Sequence, residues 1–125
     1  MVLEPGCNKK RMAIFMSKYD RMPFQARLIE KLFDVVKRNG EMSAREINRQ
    51  VLAELPDAPF SSEEETRIRY RLNWERKQLE QVGYLMRVNG TQDWRLGPGG
   101  EVVGRIDGAE VIATRSRMDS RNFRV

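Results

Sequence analysis

An α+β domain of three helices closed by a β-hairpin is predicted by three observations. Apolar residues recur at helical spacing in three separate stretches, two of them opened by serine capping signals, and Asn89-Gly90 separates two strand-like runs directly after the third. Helix, helix, helix and hairpin is the order of a winged helix-turn-helix, here carrying amino- and carboxy-terminal extensions.

The amino-terminal extension, residues 1–22, holds a turn-like Glu4-Pro5-Gly6, the basic Lys9-Lys10-Arg11 and a short apolar run, Met12-Ala13-Ile14-Phe15-Met16. So brief a run fits a helix or a strand equally. A basic arm lying on phosphate and a loosely ordered extension are both open readings.

Pro23 suits a first helical turn, and Phe24, Leu28, Leu32, Val35 and Val36 form a core-facing stripe ending at Asn39-Gly40. Glu41-Met42 is a candidate short strand pairing with the hairpin. Ser43-Ala44-Arg45-Glu46 reads as a capping box for a second helix with Ile47, Val51, Leu52 and Leu55 inward, stopped by Pro56. Asp57-Ala58-Pro59-Phe60 is a loop. Ser61 or Ser62 then caps a third helix, with Glu63-Glu64-Glu65 favourable at its positive end.

In that helix Ile68, Leu72, Leu79 and Val82 share one face, while Arg69, Tyr70, Asn73 and Lys77 fall on the other. Gly83 supplies a left-handed stop. Strands over 84–88 and 91–96 are joined by Asn89-Gly90 as a two-residue turn, which sets Val88 opposite Thr91 and Leu85 opposite Trp94, with Trp94 in the core. Gly97-Pro98-Gly99-Gly100 punctuates the unit, giving a winged-helix domain over 23–100. In 101–125, Asp107-Gly108 between apolar runs suggests a second hairpin, and Arg115, Arg117, Arg121 and Arg124 either follow phosphates or belong to a solvated tail or to the start of a region that docks elsewhere.

Composition narrows the functional classes. The 125 residues are 40% hydrophobic and 33% charged, which suits one domain with a small core, and the net charge of +5 favours an anionic partner. Histidine is absent and Cys7 is the single cysteine, so zinc fingers, His-based triads and an internal disulfide framework are excluded. No run is apolar enough to span a bilayer, and no signal-peptide core opens the chain. A cytoplasmic protein without membrane partner, cofactor or metal is expected.

The segment from Arg71 to Leu85, RLNWERKQLEQVGYL, followed by Asp93-Trp94-Arg95-Leu96, resembles the N-terminal winged-helix domain of Mrr-type restriction endonucleases. Arg71, Trp74, Leu79, Gly83, Leu85 and Trp94 carry the match, the upstream Glu46-Ile47 is similar, and the likeness covers about residues 24–100. Asn73 stands where that family has glycine, and Glu75 where it has a small apolar residue on the inward side. A carboxylate there needs a partner, for which Arg71 one turn earlier is placed. The match with the family tryptophan implies a packing role for Trp74. The resemblance implies duplex DNA binding, in some relatives sensitive to methylated bases. It implies no nuclease activity, because the catalytic domain of such enzymes is a separate segment.

The functional expectation is double-stranded DNA binding, sequence- or methylation-sensitive, by a regulator or by the DNA-reading part of a restriction or anti-phage system. Thr66, Arg69, Tyr70, Asn73 and Lys77 of the third helix would meet the major groove, and Arg87 and Arg95 of the hairpin the backbone or minor groove. A homodimer or a larger restriction or regulatory complex is compatible. The alternative is a winged-helix protein-interaction module with no nucleic-acid role, in which the third-helix face or the C-terminal tail docks a partner protein and the positive charge is incidental. Pro56-Asp57 with Glu75-Arg76-Lys77 mimics the carboxylate pattern of metal-dependent nucleases, but Glu75 and Lys77 lie about 200° apart on a helix, so no catalytic residue is assigned.

Overall fold

The computed structural model describes residues 22–124, with side chains from 23 to 118. The expected amino-terminal basic arm and the side chains of Arg121 and Arg124 lie outside the described residues. Over the described residues the architecture is α+β, with five helices and a small three-stranded antiparallel sheet. Helix α1 (Met22–Asn39) is its centre, with α2 (Ala44–Glu54), α3 (Ser62–Gln81), α5 (Gly108–Arg124) and strand β3 (Asp93–Leu96) all lying against it. Being contacted on several sides explains why Ile29 and Phe33 are buried beside the expected stripe of Phe24, Leu28, Leu32, Val35 and Val36.

The helix ends follow local chemistry. At the end of α1, Gly40 takes φ 82° and its N–H donates to the Val36 carbonyl at 2.8 Å. Ser43 caps α2 through a reciprocal box with Glu46, and Ser61 caps α3 with Glu64 in the same way. Leu55 leaves α2 in an extended conformation (φ −71°, ψ 143°), as a residue before proline must. Gly83 at φ 88° ends α3, with the Tyr84 N–H donating to Leu79 O at 3.0 Å and the Gly83 N–H to Glu80 O at 3.1 Å. This is the paired bonding of a Schellman stop.

Strand β1 (Met42–Ser43) pairs with β3, which pairs with β2 (Leu85–Arg87), giving the order β1-β3-β2. The hairpin register differs from the expected one by two residues. Leu85 opposes Leu96 and Arg87 opposes Trp94, and the loop spans residues 89–92. Thr91 is the cause: its N–H and hydroxyl both donate to Val88 O, at 3.1 and 2.9 Å, and its hydroxyl accepts from the Asp93 N–H at 3.0 Å. These bonds absorb Thr91 and Gln92 into the loop. An even shift preserves which face each side chain takes, so Leu85 and Trp94 remain in the core.

The carboxy-terminal expectations are corrected more deeply. Gly97 to Gly100 do not close the unit; α4 (Pro98–Glu101) tucks against the end of α3, with Gly97 N–H donating to Tyr84 O at 2.9 Å and Gly99 N–H to Gly83 O at 3.0 Å. Asp107-Gly108 is not a hairpin turn. Asp107 accepts from the Ala109 N–H at 3.0 Å and starts α5, whose Val111 is buried against the core. The Gly108 N–H donates to Glu30 at 2.8 Å, and a Cβ on Gly108 would strike the Ala26 backbone. The folded unit therefore continues past residue 100 through α5. No helix among the described residues is long and apolar enough to cross a membrane.

Candidate functional site

Helix α2 runs beside α3, and polar side chains fill the seam between them. Asn48 of α2 is buried, and its Nδ2 donates to Asn73 Oδ1 of α3 at 3.1 Å. Arg76 of α3, only 5% exposed, donates from Nη1 to Asn48 Oδ1 at 2.8 Å and from Nη2 to Asn73 Oδ1 at 2.6 Å. Its guanidinium also lies 5.3 Å from the centre of the Trp94 ring, and that of Arg87 lies 5.0 Å from the same ring. No carboxylate among the described residues pairs with Arg76. Burial and then the charge of Arg87 push its pKa down to about 10, which still leaves it charged at neutral pH.

Beyond Asn48 the seam opens into a cleft of about 420 Å³ lined by Arg45, Asn48 and Arg49 of α2 and Arg69 of α3. Arg45 and Arg49 have no ion-pair partner among the described residues. Arg69 holds Glu65 at 3.3 Å, a single exposed contact one helical turn away, of a kind that contributes about 0.3–0.5 kcal/mol. On α1, by contrast, Lys31 and Arg38 share Glu54, at 3.3 and 2.6 Å.

The residues expected to form one surface are divided. Arg69 faces the cleft, and Asn73, with its amide oxygen taken by two donors, belongs to the seam. Thr66 donates its hydroxyl to Ser62 O at 3.0 Å and lies with Tyr70 around a shallow hollow that also contains Glu63 and Glu64. Lys77 is exposed and without an ion-pair partner among the described residues. Strand alternation places Arg87 with Trp94 on one face of the hairpin and Arg95 with Met86 on the other, so the two arginines do not form one patch. Trp74 is 45% exposed and stands one turn from Tyr70 at 74%, more open than a packing role implies.

Arg45, Asn48, Arg49 and Arg76 were not among the expected site residues. Arg45 and Arg49 could have been found as the polar side of α2, one turn apart and off the Ile47–Val51 stripe. Nothing local marks Arg76, whose partners lie 28 residues upstream and across the sheet.

Glu75, 2% exposed, has the expected partner: Arg71 Nη1 lies 3.6 Å from its Oε2. Lys77, two residues on, is exposed, so the two do not converge as a metal-nuclease pair would. Burial pushes the Glu75 carboxyl above its ordinary value of 4.5, against the opposing charges of Arg71 and Arg115. A carboxyl with a raised folded pKa binds its proton more tightly in the folded state, so its contribution to stability falls as pH rises from about 4.5 through the folded value. Glu75→Gln removes that fall. The difference in urea midpoint between Glu75→Gln and the parent is therefore expected to move in the variant's favour from pH 4.5 to pH 7; a constant difference contradicts it.

No family model, curated protein or solved structure matches the chain.

Proposed function

We propose that the protein binds double-stranded DNA as a winged helix, with the outward residues of α3 in the major groove and the hairpin on the backbone. The observation that carries the reading is the set Arg45, Arg49, Lys77, Arg87 and Arg95, exposed on α2, α3 and the hairpin and none ion-paired among the described residues. Cations left without acids beside an exposed helix suit a polyanion whose phosphates complete them. The order of helices and strands, with β1 added to the hairpin, fits a winged helix, and the likeness of residues 71–85 and 93–96 to Mrr-type domains points the same way. A regulator, or the DNA-reading part of a restriction or anti-phage system, is the role proposed, with no chemistry of its own.

The exposed Tyr70–Trp74 pair favours a second reading, protein docking on α3. Fluorescence-anisotropy titration with duplex pools separates the two. Lys77→Ala is expected to reduce preference among duplexes by about 1–3 kcal/mol, and Arg95→Ala to weaken all duplexes alike while lowering the salt slope by about one. Negligible effects from both substitutions would sink this docking mode.

A further inference from the structure

We propose that the cleft between α2 and α3 seats one DNA backbone phosphate, held by the guanidiniums of Arg45, Arg49 and Arg69. The inference rests on the duplex-binding reading and specifies how α3 is fixed along the groove.

The cleft is lined by three guanidiniums, which only donate, and by one amide. That amide, Asn48, is held in place, with Nδ2 donating to Asn73 and Oδ1 accepting from Arg76, so most of the donors the cleft offers are those of the arginines. A ligand that only accepts hydrogen bonds fits such a lining, and paired guanidinium forks match phosphate oxygens in particular. The volume of about 420 Å³ takes a phosphate group with water around it, since one water occupies about 30 Å³ of liquid.

Electrostatics favour the same occupant. Three guanidiniums repel one another across the cleft, and only Arg69 has an acid, the exposed Glu65 at 3.3 Å. Behind the floor, Arg76 adds a buried charge with no carboxylate partner among the described residues, and its Nε has no hydrogen-bond partner there. An anion entering from solvent meets this potential and displaces Glu65 from Arg69. Because Asn48 and Asn73 tie the cleft to the outward side of α3, the seated phosphate sets the helix's position without contributing sequence preference.

The test is anisotropy of the full chain with a labelled mixed-sequence duplex across a salt series. Arg45→Gln/Arg49→Gln is compared with Arg27→Gln/Arg105→Gln, which removes the same charge from the hollow beside α1. Loss of one phosphate contact lowers the slope of log affinity against log salt by about 0.9. The cleft variant is expected to show that loss, with the ranking among duplexes unchanged, while the α1-side variant keeps the parental slope. Glu65→Gln, which frees Arg69, is expected to tighten binding. If the parent binds with a steep slope and the cleft variant keeps it, or both double variants lose it equally, the phosphate seat is overturned and the duplex reading stands. If the parent fails to bind duplex at low salt, both are overturned. Because the four substituted arginines are exposed and Glu65 is only partly covered, an unchanged circular dichroism spectrum is expected of each variant.

Discussion

Trp94→Ala is expected to destabilise the protein by about 3–5 kcal/mol, the range for deleting a large buried aromatic side chain. Trp94 is 4% exposed in the central strand β3, between Met42 of β1 and Arg87 of β2. Its loss opens a cavity where sheet and helices meet. It also removes the ring on which the guanidiniums of Arg76 and Arg87 rest, so duplex affinity should fall in the protein that remains folded. Urea unfolding followed by far-ultraviolet circular dichroism measures the first effect; a loss below about 1 kcal/mol contradicts the assignment of Trp94 to the core.

Gly108→Val should cost about 3 kcal/mol, the upper end for overpacking, because the added side chain meets backbone rather than a side chain that can move aside. The Ala26 backbone of α1 occupies the space a Cβ would need, and the Gly108 N–H donates to Glu30. Displacing the start of α5 would expose Val111 and uncover part of α1. A lower urea midpoint, with faster hydrogen exchange along α5, is the expected result. Parental stability would show that α5 is an independent tail.

The contrast between these two residues shows where sequence reading works. Trp94 was legible as core because strand alternation is a local pattern, and it survives a register shift of two. The stops at Gly40 and Gly83, the box Ser43/Glu46 and a serine cap at 61 or 62 were legible because each involves residues only a few positions apart, whereas the choice of Ser61 with Glu64 came from the structure. Gly108 was misread because aspartate followed by glycine serves a turn and a helix start equally, and the deciding contact, with Ala26, is remote in sequence. Thr91 altered the loop through a hydroxyl bond that the strong Asn-Gly signal outweighed.

The candidate site was legible only in part, for the same reason. Facing directions along α3 followed from helical period, and Arg69 and Lys77 emerged as outward cations. Which cations would lack acids could not be read, since that depends on where distant carboxylates fold. Glu54 collects Lys31 and Arg38, and Glu65 takes Arg69, whereas no carboxylate among the described residues reaches Arg45, Arg49 or Arg76. Arg87 and Arg95 were grouped by proximity in sequence, and strand pairing separates them onto opposite faces.

The most direct test of duplex recognition is anisotropy binding of the parent protein to unmodified and base-methylated duplex pools between about 50 and 200 mM salt. Four phosphate contacts, as from the cleft, α3 and the hairpin, predict affinity falling roughly a hundredfold across that range, with the pools bound unequally. Absence of binding at the low-salt end, or binding indifferent to salt, would contradict the DNA-binding account and turn attention to a protein partner for the Tyr70–Trp74 face of α3.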